Sequence, residues 1–180
     1  MAITHLVDKQ DRFSELLERH QGIIGTVTRT YCWHPDDRDE LSQEILTQLW
    51  RAFPSYDDAH AFSTWMYRVA LNVSISWLRR NSLRQRHMTE LGDDVDQVAA
   101  TNGDSVDDER SAFLHSFIDN LDPLNRALML LYLEDRSYQE ISAILGITQT
   151  NVATKISRLK QRVRQHSARI HSKGEDNGTR

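Results

Sequence analysis

The sequence predicts an all-α protein: two small helical domains joined by a flexible acidic linker. Three observations predict it. Apolar residues recur at three- and four-residue steps along most of the chain, with no strand-like alternation of useful length. Only 7 Gly and 3 Pro stand among 180 residues, so helix breakers are few. Residues 88–110 set eight acids against one base, Arg110, and contain no aromatic residue. Such a composition buries too little surface to order itself and reads as a tether. The expected boundaries are therefore a first domain over 1–87, a linker over 88–110, a second domain over 111–172 and a polar, frayed tail over 173–180.

Taken in order, Phe13, Leu16, Leu17, Ile24, Val27 and Tyr31 form one apolar helix face. Pro35 marks a turn, and Asp36 and Asp37 can cap the next helix. There Leu41, Ile45, Leu49 and Phe53 form a stripe, while Glu40, Gln43, Glu44, Thr47 and Arg51 fall on the opposite side at 100° per residue. Pro54 to Asp58 breaks that helix. A third helix is expected from about Phe62 to Arg86, with Phe62, Trp65, Met66, Val69, Val73 and Trp77 inward. Residues 59–87 hold five arginines and no acid, and Arg68, Asn72, Ser76, Arg79 and Arg80 share a face.

In the second domain, Phe113, Phe117, Ile118 and Leu121 suggest a short helix ending before Asp122-Pro123. The run from Leu124 to Leu133 is apolar nearly all round, as a buried helix is. Ser137 to Leu145 and about Gln149 to Ile170 then have helix-turn-helix spacing. Ile141 and Leu145 seal the first helix on the second, and Ser142 is small enough for close approach. Gly146 permits a positive-φ turn, Ile147 and Val152 plug the angle, and Thr148 is a good N-cap. The second helix presents Gln149, Thr150, Asn151, Thr154, Lys155 and Arg158 outward, side chains that read base edges or hold phosphate. Between Thr148 and His171 lie six bases and no acid.

Other totals exclude function classes. A net charge of -4 on the whole chain argues against a nucleic-acid binder. However, the linker contributes -7, residues 111–171 carry +3, and the remainder is neutral. One cysteine rules out an intrachain disulfide, and Cys32-Trp33-His34 offers too few ligands for a metal. There is no phosphate-cradling glycine loop, nucleophile elbow or Ser/His/Asp logic, so neither an enzyme nor a cofactor is expected. The apolar runs are too short to span a bilayer, and the N-terminus lacks a signal-peptide pattern, so a cytoplasmic location is expected.

Both domains together resemble the extracytoplasmic-function (ECF) group of bacterial sigma factors, which keeps only the second and fourth sigma domains. Three segments carry the resemblance in the first domain: Asp39 to Trp50, Phe62 to Asn72, and Trp77 to Arg80. Leu121 to Arg126 and Tyr138 to Arg164 carry it in the second. It implies a transcription initiation factor that directs core RNA polymerase to promoters. On that resemblance Asp39, Glu40, Gln43, Glu44 and Thr47 would dock on the β′ clamp coiled coil, and the second domain would meet the β flap. Tyr56, His60, Phe62, Arg68, Asn72, Ser76, Arg79 and Arg80 would capture the melted -10 strand. Phe62, like Trp65, is also on the inward stripe, which favours a core role for it. Gln149, Thr150, Asn151, Thr154, Lys155, Arg158 and Arg162 would read the -35 duplex. The group's members are typically held by an anti-sigma protein, which is a further expected partner.

Departures from the pattern are Ser76 in place of an acid, Ala153 and Lys155 where Lys and Arg are commoner, and Leu159 in place of a small residue. The alternative is a conventional helix-turn-helix regulator that binds an operator without polymerase.

Overall fold

The computed structural model describes residues 2–32, 34–90, 116–118 and 120–175, with side chains described within 9–82 and 116–167. The linker expected at 88–110 lies almost wholly outside the described residues, as do Trp33 and Phe113. Among the described residues all regular structure is helical. They form two compact units, one holding the helices up to Glu90 and the other most of the chain from Ser116 on.

In the first unit α1 spans Ala2–His20, α2 Gly22–Tyr31, α3 Pro35–Ala52 and α4 Phe62–Glu90, with a 3-10 turn at Phe53–Ser55. The single face expected from Phe13 to Tyr31 belongs to two helices. Gln21 separates them, its carbonyl accepting from Ile24 N at 3.2 Å in a tightened turn. The break falls where polar His20 and Gln21 interrupt the apolar stripe and Gly22 withdraws helix propensity. The start of α3 also differs from expectation. Asp36 and Asp37 do not cap it; they lie inside its first turn, behind Pro35 and the N-cap His34, which makes no side-chain cap bond. Proline suits that place because its missing N–H is not needed there, and the two acids favour the positive helix end.

The helices α2, α3 and α4 pack on one another, and the α3–α4 contact is the most extensive. Leu41, Ile45 and Leu49 have no exposed surface, and Phe53 continues their stripe into the 3-10 turn. The inward face of α4 is rotated from the expected one. Phe62, Met66 and Trp77 are buried as expected, but Tyr67, Ala70, Leu71 and Ser74 join them, whereas Trp65, Val69 and Val73 are half-buried. Small Ala70 and Ser74 let the neighbours approach, and the Ser74 hydroxyl donates to the Ala70 carbonyl at 2.8 Å. That local bond is what permits a polar group there.

In the second unit α5 spans Pro123–Leu133, α6 Tyr138–Leu145 and α7 Gln149–Glu175. Asp122 caps α5 by accepting from Asn125 N at 3.1 Å. Within α5 every residue from Arg126 to Leu131 is buried, as its uniform apolarity predicts. The long helix α7 continues to Glu175, past Ser172, where fraying was expected. Residues 176–180 lie outside the described residues.

The weak point between α1 and α2 yields a test. Nothing lies within 4 Å of a Cβ added at helical Gly22. Gly22→Ala should therefore raise unfolding stability by about 0.5 kcal/mol, read by urea denaturation, through lost freedom of the unfolded chain.

Candidate nucleic-acid interface

The sharpest local geometry is the turn between α6 and α7. Gly146 adopts φ 67° and ψ 30°, the left-handed conformation its sequence position demands. Ser142 does more than stay small: its hydroxyl donates to the Ile147 carbonyl and fastens the turn. Thr148 Oγ1 accepts from Asn151 N at 3.2 Å and so caps α7. At the other end of α6, Ser137 and Glu140 form a reciprocal capping box. The hydrogen bonds from Ser137 hold the Glu140 carboxyl below the usual carboxylate range, with Arg136 adding a smaller effect.

This turn fixes how α7 is rolled. Val152, Ile156 and Leu159 are buried, so Leu159, a departure from the family pattern, serves as core. Gln149, Thr150, Asn151, Thr154, Arg158 and Arg162 are exposed, and Lys155 is half-buried between the two faces. Thr154 spends its hydroxyl proton on the Thr150 carbonyl at 2.9 Å. Lys155, Arg158 and Arg162 line a shallow groove with Asn125 of α5 and Leu159. Lys160 turns away: its Nζ sits 4.4 Å from the Tyr132 ring centroid, and the Tyr132 hydroxyl raises its pKa. Such a face offers amides, hydroxyls and cations with no acid, the set that base edges and phosphates accept.

The second candidate face is on α4. Arg68, Asn72, Ser76, Arg79 and Arg80 are all exposed and lie away from the Met66–Trp77 core stripe. Ser76, the position where an acid is typical, donates to the Asn72 carbonyl at 2.8 Å. Beside this face the loop from Tyr56 to Ala61 sits on an aromatic floor. Tyr56 stacks on Phe53 at 6.1 Å and stands edge-on to Phe62 at 5.3 Å, while Trp65 lies 5.2 Å from both Tyr56 and Phe62. Phe62 is only 5% exposed, so it is part of the floor and offers no open ring face for stacking. Tyr56 is half-buried and His60 is exposed.

The third candidate face is the outer side of α3. Asp39, Glu40, Gln43 and Thr47 are exposed, and Glu44 is half-buried. Trp50, not among the residues expected on this face, is 43% exposed on the same side, seven residues after Gln43, with its ring edge-on to Phe13 at 5.2 Å. That spacing was the available signal. Also unforeseen is a bond between the second and third faces: Arg80 holds both Glu44 oxygens, at 2.8 and 2.7 Å. With Arg80 more than half exposed, the pair contributes about 0–1 kcal/mol to stability. A partner for either side chain can therefore displace the other cheaply.

Comparisons with known proteins follow the same division. The family model Sigma-70 region 2 matches residues 16–84, and the model Sigma-70, region 4 matches residues 108–163. The ECF RNA polymerase sigma factor SigE of Mycolicibacterium smegmatis is 28% identical over 165 residues, covering 89% of this chain and 63% of that longer relative. The ECF RNA polymerase sigma-E factor of Escherichia coli K12 is 27% identical over 169 residues, covering 86% and 85%. Among solved structures, sigma factor RpoE in complex with the anti-sigma factor NepR from Bartonella quintana superposes with TM-score 0.66. It shares 20% identity and covers 88% of this chain and 98% of its own. CnrH, in complex with the cytosolic domain of CnrY, gives TM-score 0.63 at 20% identity, covering 91% and 90%.

The capping box carries a pH prediction. A carboxylate depressed in the folded state stabilises above its unfolded value, about 4.3, and loses that contribution as pH falls through the folded value. Ser137→Ala should cost about 1 kcal/mol at neutral pH. The deficit relative to the parent should shrink below pH 4.3 in denaturation curves, because protonated Glu140 no longer gains from the box.

Proposed function

The chain belongs to the ECF group of the sigma-70 family, and from that membership we propose that it directs bacterial core RNA polymerase to a defined set of promoters and starts transcription there. It does so by reading the -35 duplex and capturing the -10 strand, and it performs no bond chemistry itself. The observation that carries this reading is the presence of both units in one chain, each with the family's polar residues on the outer side of a helix whose inner side is core. A conventional operator-binding regulator has no use for the acidic outer side of α3 beside the arginine face of α4, so that alternative is not favoured.

The roles divide by surface. The first domain, residues 1–87, holds polymerase and the melted strand, and the second, residues 111–172, holds the -35 element. On α7, Arg158 and Arg162 contact phosphate, while Gln149, Asn151 and Lys155 reach the major-groove edges, with Thr150 and Thr154 close to the backbone. Lys155 brings a point charge where an arginine would bring a two-pronged fork, so it discriminates bases less sharply. On α4, Arg68, Arg79 and Arg80 track the phosphates and Asn72 bonds an unstacked base, which Tyr56 and His60 hold. The acids Asp39, Glu40 and Glu44, with Gln43, Thr47 and Trp50, meet the basic clamp coiled coil of the β′ subunit. The β flap is the partner for the second unit.

Two further expectations accompany this reading. The RpoE relative is seen with an anti-sigma factor, and a protein of that kind is the regulator we expect here. No helix among the described residues is long and apolar enough to cross a membrane; we place the protein in the cytoplasm, where its polymerase is.

Replacing Lys155 and Arg158 together by alanine should abolish promoter-specific run-off transcription in a reconstituted system while core-polymerase binding survives. Full retention of specific initiation would remove α7 from the -35 role. Reversing the charges of Asp39, Glu40 and Glu44 should weaken core binding at least about tenfold, because clamp attraction becomes repulsion. An unchanged affinity, measured by titration of labelled protein, would count against the α3 face.

A further inference from the structure

The loop before α4 places two adjacent carboxylates, Asp57 and Asp58, beside Tyr56 and His60. A single strand arriving there brings phosphates, which uncompensated carboxylates repel. Both carboxylates have partners, and Asp58 meets a cation. Asp57 Oδ1 accepts from Ala59 N at 3.0 Å, and its Oδ2 lies 3.7 Å from His60 Nδ1. Asp58 pairs with Arg12, which reaches across from α1, 46 residues earlier. The same two side chains act on Tyr56. Burial raises the Tyr56 phenol first, Asp58 adds to that, and Arg12 opposes it, so the three groups sit within electrostatic reach of one another.

The rest of the loop is braced locally. Tyr56 Oη donates to the His60 carbonyl at 2.7 Å, and His60 N donates to the Asp57 carbonyl at 3.1 Å. These bonds fix the loop's own shape, whereas Arg12–Asp58 ties it to α1. Arg12 and Asp58 are 50% and 64% exposed, and a pair so wetted contributes little to folding. Stability therefore gives little reason for it. Arg12 also lies outside the segments that carry the family resemblance.

We propose that Arg12 is a positioning residue for strand capture: it holds Asp58 against α1 and so removes that charge from the path of the incoming phosphates at Tyr56 and His60. The inference rests on reading α4 and its loop as the strand-capturing surface.

The test uses holoenzyme assembled from core polymerase and the full chain. The probe is a fluorescent single-stranded oligonucleotide of the non-template -10 segment from a promoter the holoenzyme transcribes. Arg12→Ala should weaken binding of that oligonucleotide about fivefold, with core affinity, -35 duplex binding and thermal unfolding unchanged. The charge swap Arg12→Asp with Asp58→Arg should restore most of the loss, and Asp58→Asn alone should keep parental affinity, since it removes the repelling charge itself. Both results would support the role. Tyr56→Ala and Asn72→Ala serve as references. If they weaken binding and Arg12→Ala does not, the Arg12 role is overturned while the capture surface stands. If the swap fails to restore binding, the effect does not run through Asp58 and the proposal is overturned. If neither reference weakens binding, the capture reading fails and this inference with it.

Discussion

The packing of α3 against α4 is the contact on which the first unit depends. Leu41, Ile45 and Leu49 have no exposed surface, and neither do Met66 and Ala70 on the facing helix. Truncating any one of the large members would cost about 2–5 kcal/mol, a large share of the whole stability of a small domain. Burying one side of each helix also decides which side remains for partners. The acids of α3 and the arginines of α4 are what is left outward, and they end up close enough for Arg80 to hold Glu44. Two surfaces of opposite charge thus become neighbours through the geometry of a shared core.

The second unit obeys a similar constraint with a different device. A sharp turn at Gly146 and a capped start at Thr148 set the roll of α7, and the buried Val152, Ile156 and Leu159 lock it. The polar residues follow from that roll. The acid-free outward side then sets its own local charge, whatever the whole chain sums to. Net charge, at -4, describes the balance of lobes and linker and says little about either surface.

Legibility in the sequence follows how local each determinant is. The helix-turn-helix was readable because glycine, threonine and valine each have one geometric use at their positions, within a dozen residues. The stripe of α3 was readable because its apolar spacing is regular, and α5 because its apolar run is nearly continuous. The break at Gln21 was not, since two helices in phase mimic one long stripe. The face of α4 was misjudged at Val69 and Val73 because ranking by hydrophobicity passes over Ala70 and Ser74, which are buried for being small. Trp50 was not assigned a side at all, although its spacing from Gln43 places it on the outer face. Arg12–Asp58 and Arg80–Glu44 join residues 46 and 36 positions apart, and a single sequence carries no sign of such pairings. Most of the candidate residues do lie at the surface, but Phe62 does not, Trp50 was not among them, and their mutual arrangement was not legible.

These contacts also show where energy is and is not invested. The exposed ion pairs of the first unit contribute little to folding, so their value lies in placing charge. As a sigma factor, this chain gives promoter specificity to a polymerase that lacks it. The most direct measurement is run-off transcription from a genomic promoter library by purified core polymerase, with and without the protein, alongside DNA binding by the protein alone. Discrete transcripts should appear only when protein and polymerase are combined, and the protein alone should bind DNA weakly and in a salt-sensitive way. Tight, sequence-specific duplex binding by the free protein with no new transcripts would contradict it.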